Sequence, residues 1–307
     1  MRIITRTGYG NALQSAIVQG INYPLLPLTT LNEALHDPLI VPFPPAIATS
    51  GMEVVTAYDS ELDTTKMKSQ YYVIGNLGHR VITVDNIAVT TPVPHLSTDA
   101  GLYHMIPFAV REIYPSNNDL SQGERLSYRL RKTLEIDSKI YAAYYAKVID
   151  NSAVSADLLL STVDNDVVST SVFSPSISNL RPTQPSIGAT SSGSFLSTSS
   201  AIVIPLTALE VAEIISACTL LYGNPSLAIV TEIGIVQGVD KSVTGRYPAT
   251  GTQNVAAVAA DTYYELVGAQ ITNHICDNYP LGSLNNGFSF TVDIGITEPL
   301  FGTTIEG

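Results

Sequence analysis

The clearest pattern of apolar and polar positions lies between Ser121 and Asp150. Ser121 and Glu124 have the spacing of a capping box, which marks the start of a helix. Spacings of three and four residues place side chains on one face of a helix, and a single gap is bridged by Asp137. The apolar positions are Leu126, Leu130, Leu134, Tyr141, Tyr144, Tyr145 and Val148. This pattern predicts one long amphipathic helix over residues 121–149.

Strand-like patterns lie on both sides of this stretch. Short segments rich in valine, isoleucine and tyrosine alternate there with polar turn residues, which is typical of antiparallel hairpins. The segments are 52–93, with turns at 75–78 and 85–86, and 157–163 followed by 167–173. We therefore expect β-hairpins before and after the long helix.

The last hundred residues predict two helices and two strands. A second capping box begins at Thr207, and the helix that follows it ends at Gly223. Another helix is expected to begin at 261–262. Residues 227–236 are almost continuously apolar, as in a strand buried on both faces, whereas 288–296 alternate. These elements predict a C-terminal sheet covered by two helices.

The predicted fold class is α+β: β-rich antiparallel hairpins or a sandwich, one long amphipathic helix, and the C-terminal sheet. Residues 1–50 are expected to form an extended, proline-rich arm, because proline lacks the amide donor that helices and central strands need. The arm either runs over its own domain or lies on a neighbouring subunit. The length favours two domains over one. The ten serines of residues 174–200 predict a loop or linker, which separates residues 51–173 from a C-terminal region at 201–307.

Charge is distributed unevenly along the chain. The net charge is −12, yet residues 121–149 hold six of the fifteen basic side chains. A basic helix in an acidic chain predicts contact with an acidic partner, such as a neighbouring copy of the chain. Arg125, Arg129 and Lys132 are therefore candidate subunit-interface residues. The alternative is a solvated helix face whose long side chains cover the core.

Composition narrows the class of protein further. A charged fraction of only 14% suits β-rich proteins and surfaces that become covered by partners. The acidic balance disfavours direct nucleic-acid binding. Cys218 and Cys276 have no metal or redox spacing and are expected to be buried and reduced. No apolar run has the length of a membrane span, and residues 1–6 lack a signal-peptide pattern, so we expect synthesis in the cytoplasm and no membrane contact.

The polar residues form no recognised catalytic, metal-binding or cofactor-binding motif, and none is predicted. The histidines at 36, 79, 95, 104 and 274 do not have metal-ligand spacings. Glu232 is unusual because it lies in an apolar strand, where an isolated charge costs several kcal/mol. We expect it to pair with an arginine or lysine, including one across a subunit boundary, so it is a fourth candidate interface residue. The alternative is a cytoplasmic enzyme whose site combines Glu232, His104 and His274.

Several runs of the sequence resemble virion structural proteins of large tailed bacteriophages. They are His95–Tyr103, Ile106–Phe108, Arg111–Glu112, Tyr128–Arg131, Tyr141–Tyr145, Cys218–Lys241 and Val292–Leu300. The runs are packing signatures and contain no catalytic motif. The resemblance implies a non-enzymatic component of the virion that is present in many symmetric copies.

Within that class, the resemblance favours a homo-oligomeric ring in the neck or head-to-tail region, or one that terminates the tail. Its expected partners are copies of itself and the portal, neck or tail proteins of the particle. The alternative is a capsid shell protein, either the major capsid protein or a decoration protein. In that case the hairpins of 52–93 correspond to the extended loop and residues 121–149 to the spine helix of the common phage capsid fold.

Overall fold

The structure, a computed structural model, describes residues 2–26, 28–35, 62–116, 118–164, 167–183, 193–245, 261–281 and 286–300. The chain divides into two compact units. Unit 1 comprises 1–149 and 206–288, and unit 2 comprises 150–205 and 289–307. This grouping differs from the predicted division, because strands from the first half and the C-terminal region share one sheet.

The strands and helices have the following bounds. The strands are β1 (Ile3–Arg6), β2 (Lys68–Gly75), β3 (His79–Val84), β4 (Ile87–Pro92), β5 (Met105–Ile106), β6 (Ala109–Tyr114), β7 (Tyr128–Ile136), β8 (Lys139–Val148), β9 (Asp157–Asp164), β10 (Val167–Val172), β11 (Ser194–Ser199), β12 (Ala201–Thr207), β13 (Ile229–Gly245), β14 (Asp261–Pro280), β15 (Gly287–Asp293) and β16 (Thr297–Pro299). The α-helices are α1 (Gly8–Gln19), α2 (Leu31–Ala34), α3 (Gln122–Arg125), α4 (Ile177–Leu180) and α5 (Ala208–Tyr222). Single 3-10 turns lie at Thr64–Lys66 and Pro225–Leu227.

Unit 1 is built on an eight-stranded sheet whose paired strands are antiparallel. The order is β1-β14-β13-β2-β8-β6, with β5 paired to β2 and β7 paired to β8. Buried side chains of the central strands, including Tyr71, Val73, Ala143 and Val236, form an apolar cluster. The prediction of a β-rich architecture with antiparallel pairing is confirmed.

The long helix predicted over 121–149 is wrong. Only α3 is helical; its capping box at Ser121 is present, and β7 and β8 follow as a hairpin. Asp137 and Ser138 both have positive φ, at 50° and 63°, as the two residues of a type I′ turn require. The gap in the helical pattern at Asp137 is therefore a hairpin turn. Apolar residues four positions apart also lie on the same face of a strand, because four is a multiple of its two-residue period. The spacing therefore fits a strand as well as a helix.

The helix predicted from 261–262 is also wrong, because that segment is β14. It carries buried polar side chains such as Gln270 and Asn273 among its apolar ones, which hides the strand alternation. The helix from the Thr207 capping box to Gly223 is confirmed as α5. The hairpins at 85–86 and between 157 and 173 are confirmed as β3–β4 and β9–β10, and the apolar run 227–236 lies mostly in β13.

The N-terminal residues that the structure describes belong to unit 1. β1 pairs with β14, with Ile3 opposite Cys276, and α1 and α2 bury Leu13 and Leu31. The expectation of an extended arm is therefore corrected for residues 2–35, because their apolar side chains are buried against the sheet. Residues 36–61, with the prolines at 38, 42, 44 and 45, lie outside the described residues.

Unit 2 contains a four-stranded antiparallel sheet in the order β10-β9-β11-β16. β12 and β15 pair separately, and their buried side chains include Ile202, Ile204, Phe290 and Val292. The linker predicted over 174–200 is corrected at its end, since β11 is part of the sheet; residues 184–192 lie outside the described residues.

Candidate functional site

Glu232 is at the centre of a buried polar cluster in unit 1. It lies on β13 opposite Gly75 of β2 and Cys276 of β14, and its side chain is 0% exposed. Its partner is a histidine and not the predicted arginine or lysine, because His95 Nε2 lies 3.0 Å from Oε2. The remaining donors are the backbone amides of Tyr103 at 2.9 Å, His104 at 3.0 Å and Leu77 at 3.3 Å.

Two glycines make room for this carboxylate. A Cβ atom added to Gly75 would lie 2.4 Å from Glu232 Oε1 and 2.5 Å from the His104 carbonyl oxygen. A Cβ atom on Gly78 would lie 2.5 Å from the carbonyl oxygen of Thr231. The segment 75–78, predicted only as a turn, therefore forms one wall of the carboxylate site.

His95 links Glu232 to the loop that follows β4. Its Nδ1 lies 3.1 Å from Asp99 Oδ2, and its ring stacks between Tyr103 and His274, with centroid distances of 4.1 and 3.9 Å. Both ring nitrogens therefore lie within hydrogen-bond distance of carboxylate oxygens. The loop 93–104 is thus fastened to the sheet by one imidazole.

The other two histidines take different roles. His274 is buried, and its Nε2 lies 3.1 Å from the Asp99 carbonyl oxygen. Burial, and then the charge of His95, lower the pKa of His274 to about 4, so this ring is neutral at pH 7. His104 Nδ1 lies 2.6 Å from Asn76 Oδ1, and the Asn76 amide donates to the Leu227 carbonyl.

The cluster is buried within unit 1. Glu232, His95 and His274 are all buried, and the carboxylate is occupied by hydrogen-bond donors. The structure does bring together Glu232, His104 and His274, the residues of the alternative enzyme hypothesis. Sequence reasoning missed His95, Asp99 and Asn76 as their partners. Within the described residues, no group of three or more histidine, cysteine, aspartate or glutamate side chains is arranged to hold a metal ion.

The predicted basic interface residues lie mostly inside unit 1. Arg129 donates to both oxygens of Asp240 at 2.8 Å and lies over the rings of Tyr71 and Tyr264. Arg125 pairs with buried Asp119 at 2.7 Å. Their charges are therefore paired within the subunit, and Glu232 pairs with His95 instead of the expected arginine or lysine; the role of these three residues at a subunit interface stays a prediction. Lys132 is half-buried on β7.

Asp119 is an acceptor that two basic side chains share. It also accepts from Arg131 at 2.9 Å and from the Tyr144 hydroxyl at 2.6 Å. Burial raises the pKa of Asp119, but Arg131 and Arg125 outweigh that effect and hold it below its usual value. A nearby cavity of about 20 Å3, enough for a single water molecule, is lined by Arg125, Tyr128, Arg129, Leu130, Arg131, Tyr144, Tyr264 and Glu265.

The exposed apolar surface of unit 1 includes the hairpin β3–β4. These two strands pair only with each other among the described strands. Ile82 faces Val89 and Val84 faces Ile87, so these four side chains share one face, and they are between 36% and 65% exposed. A two-stranded ribbon is marginally stable by itself in water.

Residues 53–306 match a family of unknown function, DUF7208. The matched residues make up most of the chain. The chain belongs to the DUF7208 family. Comparisons with curated proteins and with solved structures give no match. Within the described part of this DUF7208 protein, none of the helices has the length and apolar character needed to cross a bilayer.

Proposed function

We propose that this DUF7208 protein is a non-enzymatic virion structural protein of a tailed phage. In this proposal it assembles with copies of itself into a symmetric ring in the neck, head-to-tail or tail-terminating region, next to portal, neck or tail proteins. The assignment to a virion and to a ring rests on the sequence resemblance. The observation that carries self-assembly is the apolar face of the β3–β4 hairpin.

The energetics of this face favour a partner. Each fully buried valine or isoleucine side chain contributes roughly 1.5–3 kcal/mol relative to exposure. Ile82, Val84, Ile87 and Val89 are 36–65% exposed, so covering their face supplies part of the free energy that association requires. A hairpin on one subunit that packs against a different surface of the next gives a head-to-tail contact, which generates a ring when the rotation closes.

Two further observations support this proposal over its alternatives. The polar residues that an enzyme would use around Glu232 are sealed by the loop 93–104, which argues for a structural role of the cluster. The capsid-shell alternative places a spine helix at 121–149, and strands β7 and β8 occupy that segment. The ring is therefore the form of assembly that we favour.

The test replaces one cross-strand pair on the apolar face. We expect Val84→Lys with Ile87→Lys to leave the subunit folded, since both side chains are exposed, and to abolish rings in negative-stain images and by light scattering. The matched control, Thr83→Lys with Ala88→Lys, places the same charges on the neighbouring pair of the opposite face. Rings should persist in the control.

Two results would overturn the proposal. One is a wild-type chain that stays monomeric at high concentration. The other is equal assembly of the two lysine variants, which would show that the apolar face makes no contact. Turnover of a small molecule by the purified chain, lost on Glu232→Gln, would favour the enzyme alternative.

A further inference from the structure

Strand β10 is an unprotected edge of the unit 2 sheet. Proteins usually protect edge strands with charges, prolines, bulges or coverage by another segment. β10 has the sequence VVSTSV, without charge or proline, and its three valines are between 62% and 70% exposed. The opposite edge, β16, contains Glu298 and Pro299. Among the strands that the structure describes in this sheet, β10 is therefore the edge that is open to strand addition.

The backbone groups available at this edge follow from the pairing with β9. The Phe173 amide donates to the Leu158 carbonyl at 2.7 Å, so the odd-numbered residues of β10 face β9. Backbone groups alternate along a strand, so the N–H and C=O groups of Val168, Thr170 and Val172 point away from β9. No described strand pairs with β10 on that side.

We propose that a second copy of this chain pairs with β10 through its own β10, antiparallel about a twofold axis at Thr170. Residues 168–172 read VSTSV in both directions, so the strand is complementary to itself in this orientation. Val168 then faces Val172 of the second copy, and Thr170 faces Thr170. All three outward-facing residues form hydrogen-bonded pairs.

The side chains agree with this register. Val167 comes opposite Phe173 of the second copy, and Ser169 comes opposite Ser171, so apolar residues meet apolar ones and hydroxyls meet hydroxyls. Such cross-strand pairs stabilise a sheet. No charged side chain lies within 167–173, so two copies of an acidic chain bring no like charges together in this strand pair. Strand addition would give an eight-stranded sheet shared by two subunits.

This contact goes beyond the proposed ring and does not depend on it. A twofold contact is isologous and by itself gives a dimer. If the cyclic ring also forms, the same contact joins two rings face to face. The two proposals can therefore fail separately.

The first experiment removes the outward amide at the centre of the pair. Thr170→Pro deletes an N–H that does not bond to β9, and proline is tolerated on the free side of an edge strand. We expect its dimer dissociation constant, measured by light scattering or sedimentation, to rise at least tenfold. The matched control Thr170→Ser keeps the amide and the hydroxyl that lies 2.9 Å from Ser161 Oγ, and it should dimerise like the wild type.

The second experiment tests the register without disturbing the backbone. Thr170 is the only residue of β10 that faces itself, at a Cα separation of about 5.5 Å that a disulfide can bridge. We expect Thr170→Cys to give an oxidised dimer in at least tenfold greater yield than Ser169→Cys, whose counterpart lies two positions away. Cys218 and Cys276 are buried.

The inference is overturned if the wild-type chain forms no dimer or paired ring, or if Thr170→Pro, confirmed as folded by circular dichroism, associates like Thr170→Ser. Equal cross-linking of the two cysteine variants also overturns it. Single rings that Thr170→Pro leaves unchanged would refute this contact and leave the ring proposal standing. Dimers that fail to form rings would refute the ring proposal and leave this contact standing.

Discussion

Glu232 shows how a buried carboxylate is tolerated without an arginine or lysine partner. Its oxygens accept from one imidazole and from backbone amides, so the charge is stabilised by groups that the fold has already fixed. Such hydrogen bonds to charged groups contribute about 1.5–3 kcal/mol each. A buried charged group that is left without a hydrogen-bond partner costs its full desolvation penalty. This side chain therefore links the loop 93–104 to β13.

We expect Glu232→Gln to lower the free energy of unfolding by about 2–4 kcal/mol. The amide keeps the shape of the carboxylate but presents a donor to a site that consists of donors. Denaturant titration followed by circular dichroism measures the change. The exposed residue Glu135 gives the control, because Glu135→Gln should change stability by less than about 0.5 kcal/mol. Equal stability of the two variants would show that the cluster does not hold the fold.

The neutral state of His274 makes stability depend on pH. Its pKa in the folded state, about 4, lies below the unfolded value of 6.5, so the unfolded chain binds more protons between these pH values. His274 therefore leaves the free energy of unfolding unchanged above pH 6.5 and lowers it as the pH falls towards 4. His95, Asp99 and Glu232 surround this ring.

We expect this residue to contribute a slope of about 1.4 kcal/mol per pH unit between pH 4 and 6.5. The measurement compares unfolding free energies of the wild type and His274→Phe across that range, since phenylalanine keeps a ring beside His95 and does not titrate. The variant should show the flatter profile. Parallel profiles for the two proteins would mean that folding does not lower the pKa of His274.

At the scale of the residue, the sequence could identify an unusual position but not its partners. Glu232 was noticeable because a charge interrupts an apolar strand. His95 and Asp99 come from a loop more than a hundred residues away, and three of the partners are backbone amides, which every residue except proline carries. No local pattern encodes such a contact.

Among the elements, the predictions succeeded where turn or cap chemistry was unambiguous. The Thr207 capping box and Gly223, whose φ is 66°, define α5 at both ends. The hairpin β7–β8 was missed because its apolar residues recur at even four-residue steps and its turn lacks glycine. Asp137 and Ser138 adopt positive φ, which aspartate tolerates better than most residues. The period alone could not separate helix from strand there.

Strand β2 carries the next prediction, because its end leaves room only for glycine. We expect Gly75→Ala to destabilise the chain by about 1–3 kcal/mol, since the new methyl group meets the Glu232 carboxylate and the His104 backbone. Thermal unfolding measures the loss. Gly101→Ala is the control, because a Cβ atom there meets nothing within 4 Å. A neutral Gly75→Ala would mean that the carboxylate can move without cost.

For the whole molecule, the main sheet combines segments that are far apart in sequence. β1 comes from the N-terminus, β2 and β8 from the first half, and β13 and β14 from the C-terminal region. A division by composition therefore separates strands that pair with each other. Contacts of this kind depend on tertiary packing, which propensity and spacing do not report.

The N-terminal segment gives the last prediction, because it decides whether residues 2–35 belong to the core. Leu13 of α1 is 0% exposed, whereas Val18 on the same helix is 87% exposed. We expect Leu13→Ala to cost about 2–5 kcal/mol and Val18→Ala less than about 0.5 kcal/mol, as measured by denaturant titration. Removal of residues 1–35 would uncover β14 along β1 and should abolish cooperative unfolding of unit 1. A truncated chain that still unfolds cooperatively, together with a neutral Leu13→Ala, would instead restore the extended arm as the correct description of this segment.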